Sequence, residues 1–162
     1  MLLGLISDTH GHVAFTLEAV RMLREFDVAL LLHCGDIGTG AVVEALAEWP
    51  THYVFGNCDR GLENSLRGAI ERAGHTCHER FGELELDSLR IAWLHGDDER
   101  RLEQTIAGGQ YHVVCSGHTH VAKQSWVRDT LAINPGAVFR ANPRSVAVLD
   151  LPSRELTTLP LS

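Results

Sequence analysis

Apolar runs and polar breaks alternate along this chain in two rhythms. Leu2–Ile6 is a short continuous apolar run, the pattern of a buried strand. Val13–Phe26 follows, with Leu17, Val20, Met22, Leu23 and Phe26 at helical spacing. Val28–Leu32 predicts a second strand, and Ala41–Glu48 a second helix that Pro50 ends. Tyr53–Phe55 predicts a third strand, and Leu62–Ala73 a third helix closed by Gly74. Strands alternating with helices imply parallel pairing through crossover connections.

The second half is mostly strand. The predicted segments are Leu84–Leu86, Leu89–Leu94, Val113–Cys115, Lys123–Val127, Leu131–Ile133, Val146–Leu149 and Glu155–Leu159. Asp87-Ser88 and Arg128-Asp129 separate two of these pairs by two residues, as in hairpins. Only Glu99–Ala107, closed by Gly108-Gly109, reads as a helix. The expected fold class is α/β, with two mixed sheets packed face to face and helices outside. No linker, low-complexity tract or repeat divides the 162 residues, so residues 1–162 are expected to form one domain.

Composition narrows the function classes. A hydrophobic fraction of 44% and a charged fraction of 22% are those of a globular protein. No apolar run approaches the ~18 residues of a membrane span. Met1–Asp8 reads as a first strand, not a signal peptide. The net charge of −7 and the lack of a Lys/Arg cluster argue against nonspecific nucleic-acid binding. Cys34, Cys58, Cys77 and Cys115 form no Cys-x-x-Cys pair, which argues against a zinc ribbon or a disulfide framework. Free thiols in a reducing cytoplasm are the expectation.

The candidate chemistry lies where apolar runs end. Ser7-Asp8-Thr9-His10-Gly11, Cys34-Gly35-Asp36, Phe55-Gly56-Asn57, Leu94-His95-Gly96 and Ser116-Gly117-His118-Thr119-His120 each surface there. In an extended stretch Asp8 and His10 would point to the same side. Taken singly, Asp8, Thr9 and Asp36 could instead cap the helices that follow, and Asn57 could be a turn residue. Taken together, the five motifs supply seven oxygen and nitrogen groups of the kind that hold one divalent metal site. With no thiolate in the set, Mn²⁺, Fe or Zn²⁺ is favoured over Ca²⁺ alone, with Ni²⁺ and Co²⁺ as substitutes.

In this order the motifs resemble the calcineurin-like metallophosphoesterases. The family pattern of Asp-x-His, Gly-Asp, Gly-Asn, His and Gly-His-x-His reads here as Asp8-Thr9-His10, Gly35-Asp36, Gly56-Asn57, His95 and Gly117-His118-Thr119-His120. Gly56-Asn57-Cys58-Asp59 and Ile133-Asn134-Pro135-Gly136 are similar to its small single-domain bacterial and archaeal phosphodiesterase branch. The resemblance implies a four-layer αββα sandwich. It implies that Asp8, His10, Asp36 and His120 hold one metal, and that Asp36, Asn57, His95 and His118 hold the second, with Asp36 bridging. Mn²⁺ is the expected ion, and a metal-bridging hydroxide is implied as the in-line nucleophile on a small phosphoester, preferentially a diester. Asp36, Asn57 and His95 are the expected catalytic residues.

Two positions depart from the family pattern. Cys58 stands where many relatives carry a histidine as leaving-group acid, so Asp59 or water becomes the candidate donor. Asp97 stands where relatives often carry a second histidine; it would orient a ligand or sit in a solvated acidic loop. Arg140 and Arg144 are candidates for clamping a phosphate, or are surface arginines. A phosphomonoesterase and a non-catalytic scaffold, like the retromer subunit that resembles this family, are the alternatives. Substrate, native metal and any homo-oligomeric state stay open at this level.

Overall fold

The computed structural model describes residues 1–162. The chain runs β1 (Leu2–Ile6), α1 (Val13–Leu23), β2 (Val28–His33), α2 (Gly40–Ala45), β3 (Thr51–Tyr53), a 3₁₀ turn (Asn57–Asp59), α3 (Glu63–Arg72) and β4 (Thr76–Cys77). It continues with β5 (Gly82–Leu86), β6 (Leu89–Trp93), α4 (Glu99–Ala107), β7 (Val113–Cys115), β8 (Lys123–Val127), β9 (Thr130–Asn134), β10 (Ser145–Asp150) and β11 (Glu155–Pro160).

The first sheet has the order β11-β10-β1-β2-β3-β4. Its β1 to β4 portion is parallel, as helical crossovers require, and β10 and β11 join antiparallel. The second sheet has the order β5-β6-β7-β9-β8, with β6, β7 and β9 parallel between antiparallel edges. Both expected hairpins are present: Leu86 pairs with Leu89 and Val127 with Thr130.

Side-chain alternation along β1 explains the layers. Leu3 and Leu5 point between the sheets and meet Leu32, Trp93, Val113, Ile133 and Leu149. Ile6 points the other way, into a core with Val20 and Leu23 of α1, Val42 of α2 and Leu66 of α3. The fourth layer is thin. α4 lies over the second sheet and buries none of its residues completely. The expected αββα sandwich of two mixed sheets is thus observed.

Several element boundaries differ from expectation; α1, for one, ends at Leu23 and not at Phe26. α2 stops at Ala45 because the next residues tighten into i→i−3 bonds, such as Leu46 N–H to the Val43 carbonyl. β3 ends at Tyr53, and Phe55 N–H bonds instead to the Glu79 carbonyl, outside the ladder. The two-residue β4 gave no periodic signal.

Candidate metal centre

The seven predicted ligands follow β1, β2, β3, β6 and β7 at the carboxyl ends of parallel strands. Open sheets place their ligand crevices at such ends. The mechanism that brings Asp8 and His10 together is not the expected one. Neither is extended: their φ angles are 56° and 45°, in the left-handed region. Asp36, His118 and His120 share that region, at 56°, 68° and 60°. Five non-glycine residues in this sparsely populated conformation mark a backbone held by its surroundings. Here the holding bonds are Asp8 N–H to the Gly35 carbonyl at 3.0 Å and His10 N–H to the Asp36 carbonyl at 2.9 Å.

The side chains converge on two carboxylates. Asp8 is fully buried, and its Oδ2 accepts from Ser7 Oγ at 2.6 Å and His118 N–H at 3.1 Å. Its Oδ1 has no hydrogen-bond partner and lies 3.1 Å from His120 Nε2 and 3.7 Å from His10 Nε2. Asp36 Oδ1 accepts the Cys58 N–H at 2.8 Å. Its Oδ2 lies 3.2 Å from His95 Nε2 and 3.6 Å from His10 Nε2. Asp8, His10 and His120 therefore form one group of ligand atoms, and Asp8, Asp36 and His95 another. The His118 ring stands edge-on to His95 at 5.1 Å, and Asn57 Oδ1 is buried without a partner.

Neighbouring residues fix the orientation of these ligands. His95 Nδ1–H donates to the Cys34 carbonyl at 2.8 Å, and His120 Nδ1–H donates to the Arg140 carbonyl at 3.1 Å. Both rings so present a bare Nε2 to the centre. Asn134, whose role the sequence did not reveal, donates to the Gly117 carbonyl at 2.7 Å and to Thr119 Oγ1 at 3.1 Å. It staples the loop that carries His118 and His120. Gly117 admits no side chain, since a Cβ there would overlap Ser7 Oγ.

Electrostatics follow from this packing. Burial pushes the Asp8 carboxyl up, but His10, Ser7 and the other histidines outweigh it and hold the acid below its usual range. Burial also opposes ionisation of Asp36, yet His95 and the Cys58 N–H keep it strongly acidic. His95 is raised: the two carboxylates overcome the desolvation of its ring.

Three other candidate residues make contacts of their own. Asp59 holds backbone groups, and burial pushes its carboxyl up. It is fully buried, and its two oxygens accept N–H bonds from Gly56 at 2.8 Å, Gly38 at 3.0 Å and Ile37 at 3.2 Å. It clamps the Asp36 and Asn57 loops. Arg144 is occupied away from the centre, 2.7 Å from Glu18 and stacked on Phe15 at 3.6 Å. Arg140 is exposed and leans on Phe139; it serves the centre through its carbonyl, not its guanidinium.

Asp97 lies 3.6 Å from Arg60 across a pocket that opens beside His95. Arg60, Arg80 and Arg101 line that pocket. Sequence reading missed all three, because they come from separate segments and form no local cluster.

Comparison with known proteins places this fold in a family. Residues 1–154 match the family model described as the calcineurin-like phosphoesterase superfamily domain. The chain is 29% identical over 160 residues to phosphodiesterase MJ0936 of Methanocaldococcus jannaschii, covering 96% of each protein. It is 31% identical to a Bacillus subtilis protein named "Probable metallophosphoesterase YsnB", covering 91% of this chain and 82% of that one. A solved archaeal phosphodiesterase structure superimposes with a TM-score of 0.91 at 28% identity, covering 99% of this chain and 100% of the other. The Vps29 protein of Entamoeba histolytica shares the fold, with a TM-score of 0.66 at 16% identity over 100% of both chains.

Proposed function

Because this chain belongs to the calcineurin-like phosphoesterase superfamily, we propose that it is a phosphodiesterase working with two divalent ions held around Asp36. One observation carries this reading. Asp8 Oδ1 and His95 Nε2 are buried ligand atoms without hydrogen-bond partners beside Asp36, a carboxylate shared by two histidines, and Asn57 Oδ1 is likewise buried and unpartnered. Unpaired buried polar atoms are costly, and cations would satisfy all three. The donor set fits: Asp8, His10, Asp36 and His120 would hold one ion, and Asp36, Asn57, His95 and His118 the other.

Two such ions, when bound, would acidify a shared water and neutralise phosphoryl charge for in-line displacement. The chain's own part is orientation. The Cys34 and Arg140 carbonyls hold the imidazoles in the tautomer that ligates, and Asp59 holds the loops in register. Carboxylate, amide and imidazole donors favour Mn²⁺, with Ni²⁺, Zn²⁺, Fe and Co²⁺ as alternatives. Cys58 follows Asn57, and its thiol is pushed up by burial and by Asp36, so it is a poor acid for a leaving group. That favours small diesters with good leaving groups. Four unpaired cysteines support a reducing, cytoplasmic setting. No helix is long and apolar enough to cross a membrane.

The deciding experiment compares a chromogenic diester with the matching monoester on one sample loaded in turn with Mn²⁺, Ni²⁺, Zn²⁺ and Mg²⁺. Faster diester turnover is expected. Faster monoester turnover would reassign the activity. Bound metal without turnover of either would turn the reading towards a scaffold.

A further inference from the structure

We propose that the pocket beside His95 is a subsite for a second anionic group, a phosphate or carboxylate, on one ester arm of the substrate. The proposal rests on the phosphodiesterase reading for the location of the scissile group. The pocket has a volume of about 420 Å³, within the range of small-molecule sites. Of the candidate metal ligands His95 alone is part of its wall, so the pocket adjoins the metal centre on the His95 side. Leu94 is its single apolar residue, so an apolar arm would find little to bury against.

Charge bookkeeping within the pocket picks out one residue. Arg80 is satisfied, 3.1 Å from Glu63 and 3.4 Å from the Gly56 carbonyl. Asp98 is spent on the backbone N–H of Arg101 at 3.0 Å, capping α4. Arg60 only approaches Asp97, at 3.6 Å, beyond hydrogen-bond length. The Arg101 guanidinium meets no carboxylate. It lies over the Phe81 ring at 4.7 Å and makes no hydrogen bond through its N–H groups. A stacked arginine with free edges is the group that takes an oxyanion bidentately. An arriving anion would also draw Arg60 from its long contact with Asp97.

The test uses three phosphodiesters of equal arm length, tipped with a hydroxyl, a carboxylate or a phosphate. Alkyl versions are titrated into the Mn²⁺-loaded protein by calorimetry, and 4-nitrophenyl versions are assayed for KM and kcat. The wild type is expected to bind at least one anion-tipped ester about tenfold more tightly than the hydroxyl-tipped one. That preference should fall with added salt. Arg101→Gln should cut it severalfold by raising KM for the anion-tipped esters, leaving what Arg60 supplies, with kcat and hydroxyl-tipped binding unchanged.

Asp97→Asn should strengthen the preference, a gain that damage to the loop would not produce. The carboxylate and phosphate arms identify which anion the subsite takes. Equal binding of all three esters by the wild type, or a preference undiminished by Arg101→Gln, would overturn the proposal. Binding preference without turnover of any ester would keep the subsite and count against the phosphodiesterase reading instead.

Discussion

Asp36 Oδ2 lies 3.2 Å from His95 Nε2, yet the His95 nitrogen makes no aligned hydrogen bond to it. With Asp8 they form a group of ligand atoms close enough to share one ion, and the same Asp36 oxygen is also 3.6 Å from His10 Nε2. Asp36→Asn removes the charge that serves both sides. Loss of residues that merely orient ligands costs roughly 10–100-fold in metal affinity or activity, so loss of the shared ligand should exceed about a hundredfold in kcat/KM. Metal content should fall with it. Diester hydrolysis retained by a folded, purified Asp36→Asn protein would refute the bridging role.

Asp59 separates a structural from a catalytic role. It holds three backbone N–H groups from two ligand loops. Asp59→Ala leaves those donors buried and should cost roughly 3 kcal/mol or more of stability. Asp59→Asn keeps an acceptor oxygen and should cost less in urea denaturation. If Asp59 supplied the leaving-group proton, Asp59→Asn would instead depress kcat at unchanged stability.

The candidate ligands were legible in sequence because each follows an apolar run whose burial could be inferred. Leu5-Ile6 before Asp8 and Trp93-Leu94 before His95 are such runs. The backbone conformation was not legible. An extended Asp8–His10 segment was the local expectation, and bonds to the Gly35 and Asp36 carbonyls override it. Arg140 and Arg144 lie near each other in sequence and attracted a phosphate role that Arg144 cannot fill while paired with Glu18. Arg60, Arg80 and Arg101 gave no signal, because only the fold brings the Asn57 loop, the turn before β5 and the start of α4 to one pocket.

Gly56 is required by close approach. Its φ of −99° suits any residue, but a Cβ would overlap the backbone nitrogen and Oδ1 of Asp36. Gly56→Ala must therefore displace the shared carboxylate. Overpacking of this kind costs about 1–3 kcal/mol, or a melting temperature lower by about 2–12 °C for a chain of this size. Metal stoichiometry measured at a temperature where the variant is folded should fall as well. Full metal loading would show that Asp36 can move without consequence.

Stability should decline on the acid side through histidines outside the centre. His52 Nδ1 lies 2.9 Å from His78 Nε2, a contact that holds one proton between the rings. The His78 ring stands edge-on to Trp93 at 4.7 Å. Burial lowers His52, with His78 and His75 adding repulsion, and burial alone lowers His75 and His78. In the unfolded chain these rings titrate near the ordinary value of about 6.5. Below that pH the unfolded state therefore binds more protons than the folded one, so stability rises with pH through the window and levels off above it. Urea midpoints measured from about pH 8 down to about pH 5 should fall through the histidine range. His78→Gln keeps a hydrogen-bonding side chain but removes one titrating ring, so its midpoint should fall less steeply than that of the wild type. The metal ligands contribute equally to both proteins, and the difference between the two slopes isolates the pair. Identical slopes would mean that His78 charges as easily in the folded protein as in the unfolded chain.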